Sequence, residues 1–193
     1  MKKRLFLTGS MGWGKSTAIA QALGSTACRG GGFFTRRQLD SSGKLTGFSL
    51  ESPDGSRGEI FLDFTQEKPV WNLSVFSQLG RDLLTDPDAP FLVLDEIGGV
   101  ELLCPEFADA LEAVFVRGTP CIGVMKGTGP SGALIKALGL DDTYAHSWER
   151  LQAFLSSDPD TLLYSCGQFD KHALALACQW VQEYAYDGLF RSV

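Results

Sequence analysis

Histidine is nearly absent from this 193-residue chain: only His146 and His172 occur, which argues against a histidine-rich metal centre. Its five cysteines (Cys28, Cys104, Cys121, Cys166, Cys178) are odd in number and scattered, with no C-x-x-C pair. That pattern argues against a disulfide frame or a zinc site and fits reduced thiols in a cytoplasm. No stretch approaches the ~18 to 20 continuous apolar residues of a membrane span. The apolar run after Lys2-Lys3-Arg4 is broken at once by Thr8, Gly9 and Ser10, too early for a secretory core. A basic surplus is also missing. Seventeen Lys and Arg against 23 Asp and Glu give a net charge of −6, which speaks against a nucleic-acid partner. Internal repeats, low-complexity tracts and Pro/Ser-rich linkers are lacking, so a single α/β domain over residues 1–193 is expected.

What is present is a complete G-x-x-x-x-G-K-S phosphate-binding loop, Gly9-Ser10-Met11-Gly12-Trp13-Gly14-Lys15-Ser16, followed by Thr17. Its context is also right. Arg4-Leu5-Phe6-Leu7-Thr8 reads as the preceding strand, and residues 17–23 read as the following helix, stopped by Gly24. Glycines let the backbone curl so that several N–H groups point inward with no Cβ in the way of a phosphate. The helix adds its unpaired N–H groups and the positive end of its dipole. Lys15 would reach the β- and γ-phosphates, and the Ser16 hydroxyl would sit on Mg²⁺. The loop implies a nucleoside-triphosphate ligand.

From residue 30 to 64 the pattern changes to short aromatic and β-branched runs separated by turn chemistry at Asp40-Ser41-Ser42-Gly43 and Pro53-Asp54-Gly55-Ser56. An antiparallel β-hairpin insertion after the first βα unit is expected there. Residues 72–84 read as a helix, and Phe91-Leu92-Val93-Leu94 as a buried strand running into Asp95-Glu96. Pro105 fits the first position of a helix with Phe107, Leu111, Val114 and Phe115 on one face. Residues 119–125 read as a strand, 131–139 as a short helix, 161–164 as a last strand and 171–186 as a terminal helix. The stretch 141–160 carries no clear pattern. Strands alternating with helices predict a P-loop α/β fold, with a largely parallel sheet covered on both faces and a ligand site at the strands' carboxyl ends.

Leu92-Val93-Leu94-Asp95-Glu96 supplies the second half of such a site, an apolar strand delivering a carboxylate. Asp95 would hold Mg²⁺, and Glu96 would position or deprotonate an attacking water. In the turn that follows, Gly98-Gly99 permits a sharp bend, and Glu101 either returns a second carboxylate to the site or is a surface residue. Arg36 and Arg37 read as charge stabilisers near the γ-phosphate or as solvated hairpin residues, and strand alternation lets only one face the site. Lys126 ends a strand where it either approaches a phosphate or stays at the surface. The Phe33-Phe34 pair offers a base clamp, although alternation sends one ring into the core.

Four segments carry a resemblance: the phosphate loop; Gly31-Gly32-Phe33-Phe34-Thr35-Arg36-Arg37 with Gly43-Lys44-Leu45-Thr46-Gly47-Phe48; Asn72-Leu73-Ser74-Val75-Phe76; and Asp95-Glu96-Ile97-Gly98-Gly99-Val100-Glu101-Leu102. Over residues 4–126 the chain resembles the cancer-related nucleoside-triphosphatase family, small P-loop proteins also known from thermophiles. The resemblance implies Mg²⁺-dependent hydrolysis of nucleoside triphosphates to diphosphates with broad base tolerance, and carries roles onto Lys15, Ser16, Asp95 and Glu96. Departures are Arg36-Arg37 where an acidic residue is common, Trp13 in place of a small loop residue, and Val100 in place of methionine. The region after Lys126 matches poorly. Two other functions fit the same motifs: a nucleotide or nucleoside kinase, which needs an acceptor pocket and an arginine-bearing lid, and a nucleotide-operated switch or assembly module with a protein partner.

Overall fold

A computed structural model describes residues 1–26, 30–126, 142–168 and 170–190. Eight strands form one sheet: β1 (Arg4–Thr8), β2 (Gly31–Leu39), β3 (Leu45–Glu51), β4 (Gly58–Asp63), β5 (Val70–Trp71), β6 (Leu92–Ile97), β7 (Cys121–Met125) and β8 (Thr161–Ser165). Their spatial order is β5-β4-β3-β2-β6-β7-β1-β8. The half from β2 to β8 is parallel, and β2 to β5 are antiparallel.

The expected antiparallel β-hairpin insertion is present as β2 to β5, and it continues the parallel half of the sheet. Gly31–Phe33 pair with β6 in the parallel half, and from Phe34 onward the same strand pairs with β3. Gly32 makes the first pairing feasible. Its φ is +84°, and a Cβ there would lie 2.0 Å from the Val93 carbonyl oxygen. Only glycine fits so close an approach.

Among the described residues five α-helices flank the sheet: α1 (Lys15–Gly24), α2 (Arg81–Leu84), α3 (Pro105–Val116), α4 (Asp142–Ser157) and α5 (Lys171–Phe190). On one face, Ile19 and Ala22 of α1 and Ala177, Trp180 and Val181 of α5 bury against Leu5, Leu7, Val93 and Ile122. The apolar stripe of the terminal helix thus covers the sheet. On the other face, Phe107 and Leu111 of α3 and Tyr144 and Leu151 of α4 pack with Phe6, Phe33, Leu92 and Leu94. Each fully buried Leu, Val or Phe contributes ~1.5 to 3 kcal/mol. Phe33 and Phe34 are both core residues, one in each cluster, so neither ring is free to clamp a base.

Three local readings shift. The helix read at 72–84 contains a π-helical turn (Phe76–Gly80) before α2, and Gly80 lies against the Phe107 ring, where a Cβ would come within 2.9 Å. Phe76, Leu79 and Leu83 still reach the core. The unpatterned 141–160 stretch holds α4, and the terminal helix runs to Phe190 rather than 186. The short helix read at 131–139 lies outside the described residues, as does Cys28. Cys104, Cys121, Cys166 and Cys178 are unpaired. Among the described residues, no helix is long and apolar enough to cross a membrane.

Candidate active site at the carboxyl ends of the parallel strands

The phosphate loop leaves β1 and enters α1 through Gly14, whose φ of 83° is left-handed. No side chain caps this helix start. Its first N–H groups are consequently free to bind an anion. Gly12 is also left-handed, with φ 80°. Trp13 folds its ring over Gly9, close enough that a Cβ on Gly9 would come within 3.1 Å of it. The Lys15 ammonium donates to the carbonyls of Gly9 (2.9 Å) and Ser10 (2.7 Å).

Strand β7 separates β1 from β6, yet the two strand ends meet across it. The Ser16 hydroxyl donates to Asp95 Oδ1 at 2.7 Å, and the Thr35 N–H donates to Asp95 Oδ2 at 3.2 Å. Asp95 is almost fully buried, and burial pushes its carboxyl up to about 7; the nearby Glu96 charge adds to this, while Ser16, Thr35 and Arg36 oppose it. An all-oxygen pair of a hydroxyl and an under-neutralised carboxylate suits a hard divalent cation such as Mg²⁺. Among the described residues no cluster of three or more His, Cys, Asp or Glu could hold a metal, so such a cation would need phosphate and water as its other ligands.

Regular alternation would send Asp95 and Glu96 to opposite faces of the sheet. The chain avoids this with a bulge: Leu94 pairs with Gly123 and Ile97 with Met125, so β6 carries one extra residue there. Glu96 absorbs the distortion with φ 61°, alone among described non-glycine residues in having a positive φ. Both carboxylates consequently border the same cleft.

Glu101 explains how the bulge is held. It is buried, and its Oε1 accepts the N–H groups of Gly98 (2.5 Å) and Gly99 (2.8 Å). Burial raises its pKa, while the Lys126 ammonium and these N–H groups oppose the shift. A Cβ on Gly99 would lie 2.5 Å from Lys126 Nζ and 2.8 Å from Glu101 Oε2, so a larger residue there would push the two charged side-chain ends aside. From α4, the buried Tyr144 hydroxyl reaches the Gly98 carbonyl at 3.4 Å, and Trp148 packs against Gly98. Glu101 is thus not a surface residue; its Oε1 is taken up by the turn, and its side chain also borders the cleft described next.

The cleft measures about 530 Å³. It brings together Met11, Gly12, Gly14, Lys15, Ser16 and Thr17 of the loop region with Asp95, Glu96, Glu101 and Lys126. Gly9, Ser10 and Trp13 belong to the loop without lining the cleft. Arg36 and Arg37 both border the cleft, although alternation left room for one; the Arg36 guanidinium lies 4.1 Å over the Phe34 ring. Sequence reasoning missed Thr35 as a partner of Asp95, the α4 residues behind Gly98, and an aromatic wall contributed by Phe48, Phe61, Trp71 and Phe76. The aromatic-rich pattern of 45–71 was the available signal for the last of these.

Comparison with known proteins agrees with this geometry. A family model described as NTPase matches residues 4–143. The nucleoside-triphosphatase THEP1 of Thermotoga petrophila is 28% identical over 130 residues, covering 64% of this chain and 72% of that protein. The cancer-related nucleoside-triphosphatase homolog of Mus musculus is 31% identical over 149 residues, covering 67% of this chain and 76% of that protein. The crystal structure of THEP1 from Aquifex aeolicus shares the fold, with a TM-score of 0.59 at 21% identity over 88% of this chain and 92% of that one.

Proposed function

The chain belongs to the NTPase family, and on that premise we propose that it hydrolyses nucleoside triphosphates to diphosphate and phosphate, with Mg²⁺ and with broad base tolerance. The observation that carries the reading is the 2.7 Å bond from Ser16 to Asp95, which joins the phosphate loop to the carboxylate strand. Ser16 and Asp95 would hold Mg²⁺, which when bound neutralises charge on the β- and γ-phosphates.

The chain's own groups account for the remaining chemistry. The free N–H groups at the start of α1 bind the phosphates, and Lys15 exchanges its loop carbonyls for phosphate oxygens. Glu96 accepts a proton from the attacking water as its oxygen bonds to the γ-phosphorus and the bridge to the leaving diphosphate breaks. Glu101 and Lys126 act through the turn that aims Glu96. The net charge of −6 favours a free nucleotide over nucleic acid as the ligand, and unpaired thiols favour a cytoplasmic setting.

The test is phosphate release from ATP, GTP, CTP and UTP with and without Mg²⁺, beside Lys15→Ala. Mg²⁺-dependent release across the bases, abolished in the variant, is expected. Release that survives Lys15→Ala would place the chemistry elsewhere.

A further inference from the structure

The cleft is chemically divided. Its polar part is built by the phosphate loop, Asp95 and Glu96, and its apolar part by Phe48 on β3, Phe61 on β4, Trp71 on β5 and Phe76 of the π-helical turn. The rings of Phe48, Phe61 and Phe76 form a continuous wall, and Trp71 borders the same cleft. Phe61 and Phe76 lie 4.9 Å apart between centroids, and Phe48 stacks near-parallel to Phe61 at 6.3 Å. Phe61 and Phe76 are buried, but Phe48 and Trp71 are only half-buried. Ring surface left open beside a charged site is suited to a flat partner.

Strand order says that this partner is not the base of the hydrolysed nucleotide, an argument that rests on the function proposed above. Moving along the sheet from β1, one meets β7, then β6 with Asp95 and Glu96, then β2, and only then β3, β4 and β5. Neighbouring strands are ~4.8 Å apart, so the aromatic wall begins roughly 10 Å beyond the carboxylates. The γ-phosphate is the end that faces Asp95 and Glu96, and the nucleoside leaves from the other end of the phosphate chain. The wall therefore lies past the reacting phosphate.

Charge narrows the ligand further. Arg37 stands on β2, between the carboxylates and the wall; it is exposed and makes no ion pair among the described residues. With Arg36 beside it, two guanidinium groups border the cleft of a net-acidic chain. Such groups suit a phosphate or carboxylate. We propose that the aromatic half is a second ligand site, filled together with the nucleotide, for a nucleoside monophosphate whose base stacks on Phe48 and Trp71 and whose phosphate faces Arg37.

The probes are AMP, GMP, CMP and UMP, titrated calorimetrically into the protein alone and into protein saturated with Mg²⁺ and adenylyl imidodiphosphate. At least one monophosphate is expected to bind in both cases. Trp71→Ala should weaken it by about tenfold or more, the loss of one base–ring stack, and Trp71→Phe should restore most of that. The affinity for the imidodiphosphate should not change, and circular dichroism shows whether the variant is folded. Monophosphate binding should also survive Lys15→Ala. No binding of any monophosphate, or binding abolished by the imidodiphosphate, would overturn the second site. So would a loss of imidodiphosphate affinity in folded Trp71→Ala, because the wall would then hold that nucleotide's own base. If the imidodiphosphate itself fails to bind the wild type, the hydrolase reading fails, while the titrations into free protein still decide the aromatic site.

Discussion

Replacing Glu101 by alanine separates aiming from chemistry. Its Oε1 accepts two N–H groups, from Gly98 and Gly99, in a buried turn. Each orphaned buried N–H costs about 1 to 3 kcal/mol, so Glu101→Ala should lower stability by roughly 2 to 6 kcal/mol, less where water reaches the turn. Domains of this size have about 5 to 15 kcal/mol in hand, so the variant should still fold. The catalytic effect should be larger in proportion. Glu96 is held at φ 61°, a conformation that costs about 1 to 2 kcal/mol, and a relaxed turn lets it escape. A shift of about 1 Å in a positioned group can lower turnover about 10²-fold. Urea unfolding, steady-state kcat and nucleotide Kd together give the answer: a lower midpoint, kcat down about 10²-fold, and Kd within a few-fold of wild type. Glu101→Gln keeps an oxygen for both N–H groups and should lose less than tenfold in kcat. Wild-type turnover in Glu101→Ala would refute the idea that this turn aims Glu96.

Three more outcomes are expected. Glu96→Gln should retain nucleotide binding and lose about 10²-fold or more in turnover, measured as phosphate release; weaker binding at unchanged kcat would remove Glu96 from the reaction. Gly32→Ala places a Cβ 2.0 Å from the Val93 carbonyl and adopts φ +84°, so urea denaturation should show a loss of about 3 kcal/mol or more, and wild-type stability would contradict the β2–β6 approach. At Asp158, burial works to raise the carboxyl pKa, but Thr161, the Asp160 N–H and the Arg4 guanidinium outweigh it, leaving the value below the ordinary one. A depressed folded pKa stabilises fully above the unfolded value of ~3.9 and is lost as pH falls through the folded value. Asp158→Asn should therefore reduce stability at pH 7, where it leaves Arg4 short of a counter-charge, and flatten stability between pH 4 and the acid transition, read by thermal melts.

The parts of the fold that were legible in sequence were those set by short-range rules. The loop, the strand before it and the helix after it follow from local glycine and apolar placement, and Pro105 marks the start of α3. The bulge at Asp95-Glu96 was not legible, because it depends on pairing with β7, where Leu94 meets Gly123 and Ile97 meets Met125 far along the chain. The same holds for Glu101: nothing in its neighbours says that its carboxylate turns back onto Gly98 and Gly99. The α4 helix escaped notice because, among its described side chains, only Tyr144, Leu151 and Leu155 are buried, a sparse stripe amid polar residues. The aromatic wall has a similar origin, since its rings come from three strands and a π-helical turn that sequence alone does not bring side by side.

The loop bonds of Lys15 bear on the thermodynamics of filling the site. Its ammonium has two carbonyl acceptors within the loop itself, at 2.9 and 2.7 Å. Ligand entry is then an exchange of acceptors, neutral oxygens for anionic ones, and not the capture of an ion by a fully hydrated cation. The lysine's share of the binding enthalpy is a difference between two bonded states, smaller than a count of charge pairs suggests. What the loop carbonyls lose, water must recover, so calorimetry of nucleotide entry should report the rehydration of Gly9 and Ser10 along with the gain at the phosphates.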